Sequence, residues 1–303
     1  MRTRIRSTVP TAVETAINGA LLVDKPAGVT SFDVVAIVRR ALGIKSVGHT
    51  GTLDPFATGL LVVLTGKATR LARFLDGMPK VYSATVRLGQ GSDTDDSTGV
   101  LGTRTSHSAL RTEDVAAALA SFRGTQQQMP PVYSAKKIDG QRAYARARKG
   151  EAVVLQAVEV TIHSVELLRY EWPDAEVRVS VSSGTYIRSL ARDLGTKLGV
   201  PAHCAALRRE KIGEFKVTDA QTLETLQGAG AQGRSGAGLS MLQLVTHLPM
   251  QVLDDEELAR IKHGRQVLTT ERTGPIALVH VGELIAVAEV VDGMAQPVVV
   301  VTE

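Results

Sequence analysis

The chain has 303 residues, 44% of them hydrophobic, enough for one large domain with a small one, or for two of middle size. Lys and Arg number 35 against 31 Asp and Glu, a net +4 that permits a polyanionic partner without demanding one. The single cysteine, Cys204, excludes an intrachain disulfide and a multi-thiolate metal site, fits a reducing cytosol and reads as a small core residue; no apolar run approaches the roughly 20 residues of a membrane span.

Residues 1–19 carry Arg2, Arg4 and Arg6 among Ser and Thr but lack the apolar stretch of a secretory signal, so they read as a frayed tail. Ala20 to Val23 predicts a first strand, closed by Asp24-Lys25-Pro26-Ala27-Gly28. Thr30 or Ser31 is placed to cap a helix through Leu42, with Val34, Val35, Val38 and Leu42 as its apolar stripe. Then comes Gly48 to Leu61, GHTGTLDPFATGLL. Its glycines at 48, 51 and 59 allow positive φ and close backbone approach. Leu60 to Leu64 reads as a buried strand. Asp54 therefore sits on a crowded turn feeding the sheet, with His49 just upstream. Asp-Pro also opens ordinary turns, so these residues alone leave a structural role open.

The stretch GHTGTLDPFATGLL resembles the active-site motif of the TruB family of tRNA pseudouridine synthases, and LLVDKPAGVTS, from Leu21 to Ser31, resembles that family's opening motif. The resemblance implies that Asp54 is the essential catalytic carboxylate and that Lys25 and His49 line the substrate site.

A helix is expected over Lys67 to Leu75, after Gly66 and before Gly77. Lys80 to Leu88 alternates as a strand, with Tyr82, Ala84, Val86 and Leu88 on one face. Tyr82 reads either as a core tyrosine or as an aromatic lid on a nucleobase; the resemblance implies the second, facing Asp54. Gly89 to Gly99 is an acidic loop without the glycine and distant glutamate of a calcium loop, so no metal is expected. No phosphate-cradling Gly-Lys-Thr loop occurs, so no nucleotide cofactor is expected either. Thr112 is placed to cap an Ala-rich helix to Phe122.

Gly124 to Gly150 is one-signed. Lys136, Lys137, Arg142, Arg146, Arg148 and Lys149 face only Asp139, and Tyr133 and Tyr144 interleave. Arg142, Arg146 and Lys149 recur at helical spacing. A solvated face is one reading; contact with nucleic acid is favoured, because the aromatics can stack on bases. The resemblance makes residues 124–150, with their PPVYSAK core, an RNA-binding thumb. Strands are expected within 153–168 and 175–181, then GTYIRS, in which Thr185 is placed to cap a helix striped by Ile187, Leu190, Ala191, Leu194 and Leu198. Arg188 near that helix start is disfavoured by the dipole, and reads either as a solvated surface arginine or as one compensated by a carboxylate across a cleft. GTYIRS matches the family motif whose arginine pairs with the catalytic aspartate. Tyr186, and Leu207 in the Leu-Arg-Arg strand, are implied to line the same site; His203 reads as structural.

Gly228 to Gly238 is linker-like in composition, and the linker region is taken as 227–248. Beyond it, Asp254 is placed to cap a short helix to His263, with Glu257 in capping-box position, and three strands fit 276–281, 284–291 and 297–301. This order, with IKHGRQV from Ile261 to Val267, resembles a PUA-type RNA-binding module over 249–303.

The expected fold is α/β (α+β): the pseudouridine synthase fold, a mixed and largely antiparallel sheet flanked by helices, over 20–226, plus a small PUA-like β-barrel. The resemblance implies isomerisation of uridine 55 in the T-loop of tRNA, with the base flipped out and Asp54, Tyr82 and Arg188 acting without a cofactor. A cytoplasmic monomer binding the tRNA T-arm, with no membrane and no metal, is expected. Two other classes stay open: a tRNA-binding folding chaperone, and an RNA-guided relative acting on ribosomal RNA.

Overall fold

The computed structural model describes residues 18–105, 110–133, 137–138, 141–142, 155–228 and 238–302. In chain order these give β1 (Gly19–Lys25), α1 (Ser31–Leu42), β2 (Val47–Thr50), β3 (Thr58–Thr65), a 3-10 turn (Gly66–Leu71) running into α2 (Ala72–Leu75), β4 (Lys80–Leu88), α3 (Thr112–Ala120) and β5 (Gly124–Gln128). There follow β6 (Lys137–Ile138), β7 (Gln141–Arg142), β8 (Val158–Glu171), β9 (Asp174–Val181), α4 (Ile187–Lys197), β10 (Ala202–Ile212), β11 (Phe215–Lys216), β12 (Gln221–Thr222) and α5 (Leu223–Gly228). The last part holds β13 (Leu239–Ser240), α6 (Met241–Leu244), β14 (Met250–Val252), α7 (Asp255–Lys262), β15 (Val267–Leu268), β16 (Ile276–His280), β17 (Glu283–Val291) and β18 (Met294–Val300).

The main sheet runs β12-β1-β3-β10-β4-β9-β8-β5, with β13 on β1, β2 on β3 and β11 on β10. Only β1–β12 and β3–β10 pair parallel, so the sheet is mixed and largely antiparallel as expected. Its centre explains the unbroken apolar run at 60–64. Leu61 and Val63 pack with α1 and with Leu21 and Val23 of β1. Leu60, Val62 and Leu64 turn the other way, onto the 3-10 turn and the second sheet. A strand covered on both faces has no polar side to alternate with. The crossing of β3 and β10 is closer still: Gly59 has φ +103°, and a Cβ there would overlap the Arg209 backbone. On the α3 and α4 side, Tyr82, Ala84, Val86 and Leu88 join one cluster with Val115, Leu119, Leu190 and Leu194. The alternation expected over 80–88 is therefore the one observed.

Local signals fared unevenly. Thr30 caps α1 in a capping box with Asp33, and Asp254 caps α7 with Glu257. The helix expected at 67–75 begins instead as the 3-10 turn. Thr112 is the first residue of α3 rather than its cap, which is Arg111; Arg111 pairs with Asp114, and the helix ends at Ala120. The 227–248 region taken as linker holds regular structure from Leu239 on. Leu239–Ser240 pairs with β1, and Leu244 and Val245 are fully buried.

The second sheet has the order β14-β16-β17-β18-β15, two strands more than expected. Its outer strands are joined by Gln251 Nε2, which donates to the Leu268 carbonyl at 2.9 Å, so the sheet curls toward itself. Leu244 and Val245 share a cluster with Ala20 and Leu22 of the main sheet and Ala277, Val287 and Val299 of the second. Leu244→Ala should cost about 2–5 kcal/mol, as for a fully buried leucine. Denaturant unfolding of the full chain measures it; a change within about 0.5 kcal/mol would mean the seam contributes nothing.

Candidate active site

Asp54 lies on the turn between β2 and β3, and the turn is held by the first residue of α1 and the residues before it. Ser31 Oγ accepts from the Leu53 N–H (2.9 Å) and donates to the Leu53 carbonyl (3.2 Å). The Gly28 N–H donates to the Pro55 carbonyl at 2.8 Å. Lys25 is fully buried, and its Nζ donates to the carbonyls of Pro26 and Val29 (both 2.9 Å) and of Pro55 (3.4 Å). Lys25 thus buttresses the turn. It does not line the cleft, contrary to the substrate contact expected of it, because three carbonyls take its donors. Burial lowers its pKa to about 8, with Arg209 adding to the shift and Asp54 and Asp33 opposing it.

Arg188, on the first turn of α4, is 4% exposed and reaches across 134 residues of chain to Asp54. Nη2 donates to Asp54 Oδ1 at 3.2 Å, and Nε stands 2.9 Å from Oδ2. Nη2 also donates to the Tyr133 carbonyl (2.9 Å), and Nη1 to the Thr94 carbonyl (3.0 Å) and to Asp96 Oδ2 (3.2 Å). The carboxylate expected near this helix start is therefore present twice. Asp96 is buried, and its Oδ1 accepts from the Thr98 N–H and the hydroxyls of Thr94 and Thr98. Burial pushes the Asp54 pKa above the usual carboxylate range. Arg188 works against that shift by charge and hydrogen bond and Lys25 by charge, while Asp96 adds to it.

A cleft of about 230 Å³ opens over Asp54, lined also by Tyr82, Tyr186, Arg188 and Leu207. The structure thus brings together Asp54, Tyr82, Arg188, Tyr186 and Leu207. His49 lies on β2 opposite Val63, outside the lining. Tyr186, not Thr185, is the cap position of α4. Gln128, at the end of β5, holds Tyr186 from both sides: Oε1 accepts from its N–H at 2.8 Å and Nε2 donates to its carbonyl at 3.0 Å. Ser189 and Arg192 of α4 both donate to the Met129 carbonyl. The base of the expected thumb is therefore tied to the helix carrying Arg188. Lys136, Arg146 and Lys149 lie outside the described residues. Lys137 and Arg142 are described only as the backbone pair of β6 and β7, so Arg142 starts on a strand rather than a helical face.

Three lining or supporting residues escaped the sequence, Asp96, Gln128 and Lys80, whereas Arg209 belongs to the Leu-Arg-Arg strand implied to line the site and does line the cleft. Lys80 donates to the carbonyls of Met78 (2.8 Å) and Asp76 (3.3 Å) and to Ser183 Oγ (3.1 Å). Burial and Arg209 lower its pKa to about 8, against the pull of Asp76. Among the described residues no cluster of His, Cys, Asp and Glu has the geometry of a metal site, and no helix is long and apolar enough to cross a membrane.

Two solved structures share this architecture. One is an H/ACA RNP bound to a substrate RNA containing 2′-deoxyuridine (TM-score 0.73, 26% identity, covering 95% of this chain and 86% of that one). The other is a Cbf5-Nop10-Gar1 complex (TM-score 0.73, 28% identity, 93% and 81%). The chain has the pseudouridine synthase fold, an α/β enzyme scaffold with its cleft at the Asp54 turn. Residues 39–187 match the TruB family pseudouridylate synthase N-terminal domain, and residues 188–247 the tRNA pseudouridylate synthase B C-terminal domain. The tRNA pseudouridine synthase B of Thermobifida fusca (strain YX) is 44% identical over 93% of this chain and 98% of its own, and that of Aquifex aeolicus (strain VF5) 40% over the same shares. The chain belongs to the TruB family of pseudouridylate synthases.

Asp96→Asn tests the electrostatics. It removes a like charge that raises the Asp54 pKa, so Asp54 should titrate at a lower pH than in the wild type. Carboxyl NMR titration reads this directly; an unchanged or higher value would show that Asp96 does not act on Asp54.

Proposed function

We propose that this enzyme isomerises uridine 55 in the T-loop of tRNA to pseudouridine, with the target base flipped out of its stack into the cleft over Asp54. The observation that carries this reading is the carboxylate of Asp54, clamped by a buried Arg188 at the mouth of a cleft that Tyr82 also lines. It is supported by family membership and by relatives bearing the name tRNA pseudouridine synthase B.

The chemistry breaks the N1–C1′ bond and rejoins the same base through C5. Asp54, ionised, attacks C1′ or takes the C2′ proton; either route uses a fixed carboxylate beside the sugar. Arg188 keeps that carboxylate charged and oriented when the bound RNA excludes water. Tyr82 offers its ring to the base, and the Tyr186 and Leu207 segments complete the wall. C5 loses a proton and N1 gains one, so the reaction balances without a cofactor. The second sheet is read as a PUA-like RNA-binding module, with Arg260, Lys262 and Arg265 in and just after α7 as its basic side. Residues 124–150 are read as a thumb whose cations meet phosphates, positioning the tRNA rather than reading its sequence.

The test incubates the chain with unmodified tRNA, digests it and separates the nucleosides by chromatography, because the product has the mass of the substrate. Pseudouridine at position 55 is expected. Asp54→Asn should lower the single-turnover rate by about 10⁴ or more with little change in tRNA affinity. The wild-type rate should also fall as pH drops through the Asp54 pKa, and this acid limb should lie above the ordinary aspartate value of about 3.9 because burial raises it. Product at another uridine, or an Asp54→Asn rate near wild type, would refute the reading.

A further inference from the structure

The cleft has a floor that the proposed reaction has not yet used. Arg209 of β10 is 1% exposed. Its Nε donates to the Leu60 carbonyl and its Nη2 to the Gly51 carbonyl, both at 2.8 Å. Nη1 has no acceptor among the described residues, and Arg209 lines the same cleft as Asp54. Gly51, with φ +67°, lets the cation come this near: a Cβ there would stand 3.3 Å from Arg209 Nη1 and 3.4 Å from Lys80 Cε. The guanidinium is thus fixed by two backbone oxygens, with one amino group left for a ligand.

The charge balance points the same way. Lys25, Lys80, Arg188 and Arg209 bring four cations to the cleft and the turn that supports it, against Asp54 and Asp96. Asp33 and Asp76 act on the two lysines only from exposed positions. A buried cation without a carboxylate partner is costly unless something anionic visits it. Neither Lys80, whose three donors are taken, nor Arg209 makes an ion pair with a described carboxylate. The floor is therefore preorganised for negative charge that is absent at rest.

Resting on the reaction proposed above, that charge has one origin. When N1–C1′ breaks, the bond's electron pair leaves with the base, and the detached uracil is an anion delocalised over N1, O2 and O4. Asp54 meanwhile bonds to C1′, or accepts the C2′ proton as the C1′=C2′ bond forms. The anion lasts until C5 bonds to C1′ and Asp54 is released or returns its proton; C5 then loses a proton and N1 takes one up. We propose that Arg209 Nη1, backed by the charge of Lys80, donates to the detached base and stabilises it, so that the cleft favours bond breaking rather than substrate binding.

The test compares single-turnover disappearance of the target nucleoside in tRNA carrying uridine or 5-fluorouridine there, for wild type, Arg209→Lys and Lys80→Met. Fluorine stabilises the base anion by itself, so this substrate needs the floor less. Arg209→Lys should slow uridine by about 10²-fold or more with tRNA affinity unchanged. Its loss on 5-fluorouridine should be smaller by about an order of magnitude, and Lys80→Met should show the same pattern more weakly. Thermal melts check folding; if Arg209→Lys does not fold, Lys80→Met decides. Equal losses on both substrates, or losses seen only in tRNA affinity, would assign these cations to scaffold and overturn the proposal. A wild-type chain that consumes neither substrate would overturn the reaction itself, and the proposal with it.

Discussion

A single guanidinium organises this molecule. Arg188 is removed from water, which costs several kcal/mol unless every donor is answered. The structure answers Nη1 and Nη2 with two carboxylates and two carbonyls, drawn from the Asp54 turn, the 94–96 loop and the segment after β5, and sets Asp54 Oδ2 2.9 Å from Nε as an ion-pair contact without hydrogen-bond geometry. A planar fork of five N–H groups can face two carboxylates and two carbonyls on three segments at once; an ammonium has only three donors. The same contacts offset the placement of a cation at the positive end of α4. The pull works in both directions. The loops are fixed because the arginine needs them, and Asp54 is oriented because the arginine is already held by the rest.

What the sequence made legible was local. Lys80 to Leu88 alternated and became β4 with the expected face inward, and Thr30 and Asp254 capped the helices they precede. The motifs at 48–61 and 183–190 brought Asp54 and Arg188 into contact, and Tyr82, Tyr186 and Leu207 came to the same cleft. The failures share a cause. Asp96 stood in an acidic loop judged only for calcium, and its partner lies 92 residues away. Gln128 stood among neighbouring glutamines, and only Tyr186, 58 positions on, gives it a task. Arg208 and Arg209 stood together in the Leu-Arg-Arg strand implied to line the site, with nothing to tell their tasks apart. The alternation of β10 sends Arg208 to pair with Asp24 and Arg209 to the cleft floor, a difference that no composition shows. Lys25 erred in the other direction. Its motif suggested contact with substrate, while its burial among carbonyls makes it a brace. The region taken as linker ran on to 248, past the glycine-rich 228–238, although 239–248 holds the apolar residues Leu244 and Val245, both fully buried.

The floor of the cleft and its rim follow different rules. At the rim, Asp54 and Arg188 neutralise one another, the carboxylate partly open and the guanidinium buried. At the floor, Lys80 and Arg209 are held by carbonyls and a hydroxyl, neutral acceptors that fix a cation without cancelling its charge. A site arranged this way keeps a steep potential over a few ångströms, positive inward, and does not have to reorganise when charge moves.

The seam between the two sheets has its own consequence. Because Leu60, Val62 and Leu64 of β3 turn toward the second sheet and share a cluster with Val287 and Val299, the strand that follows the Asp54 turn is also part of the C-terminal unit's core. The two parts share packing at this seam. Heat should therefore find one cooperative block, with a calorimetric enthalpy equal to the van't Hoff value, rather than two domains melting in succession. The distance from the cleft to the second sheet would then be a fixed length in the folded protein, as in a caliper rather than a hinge.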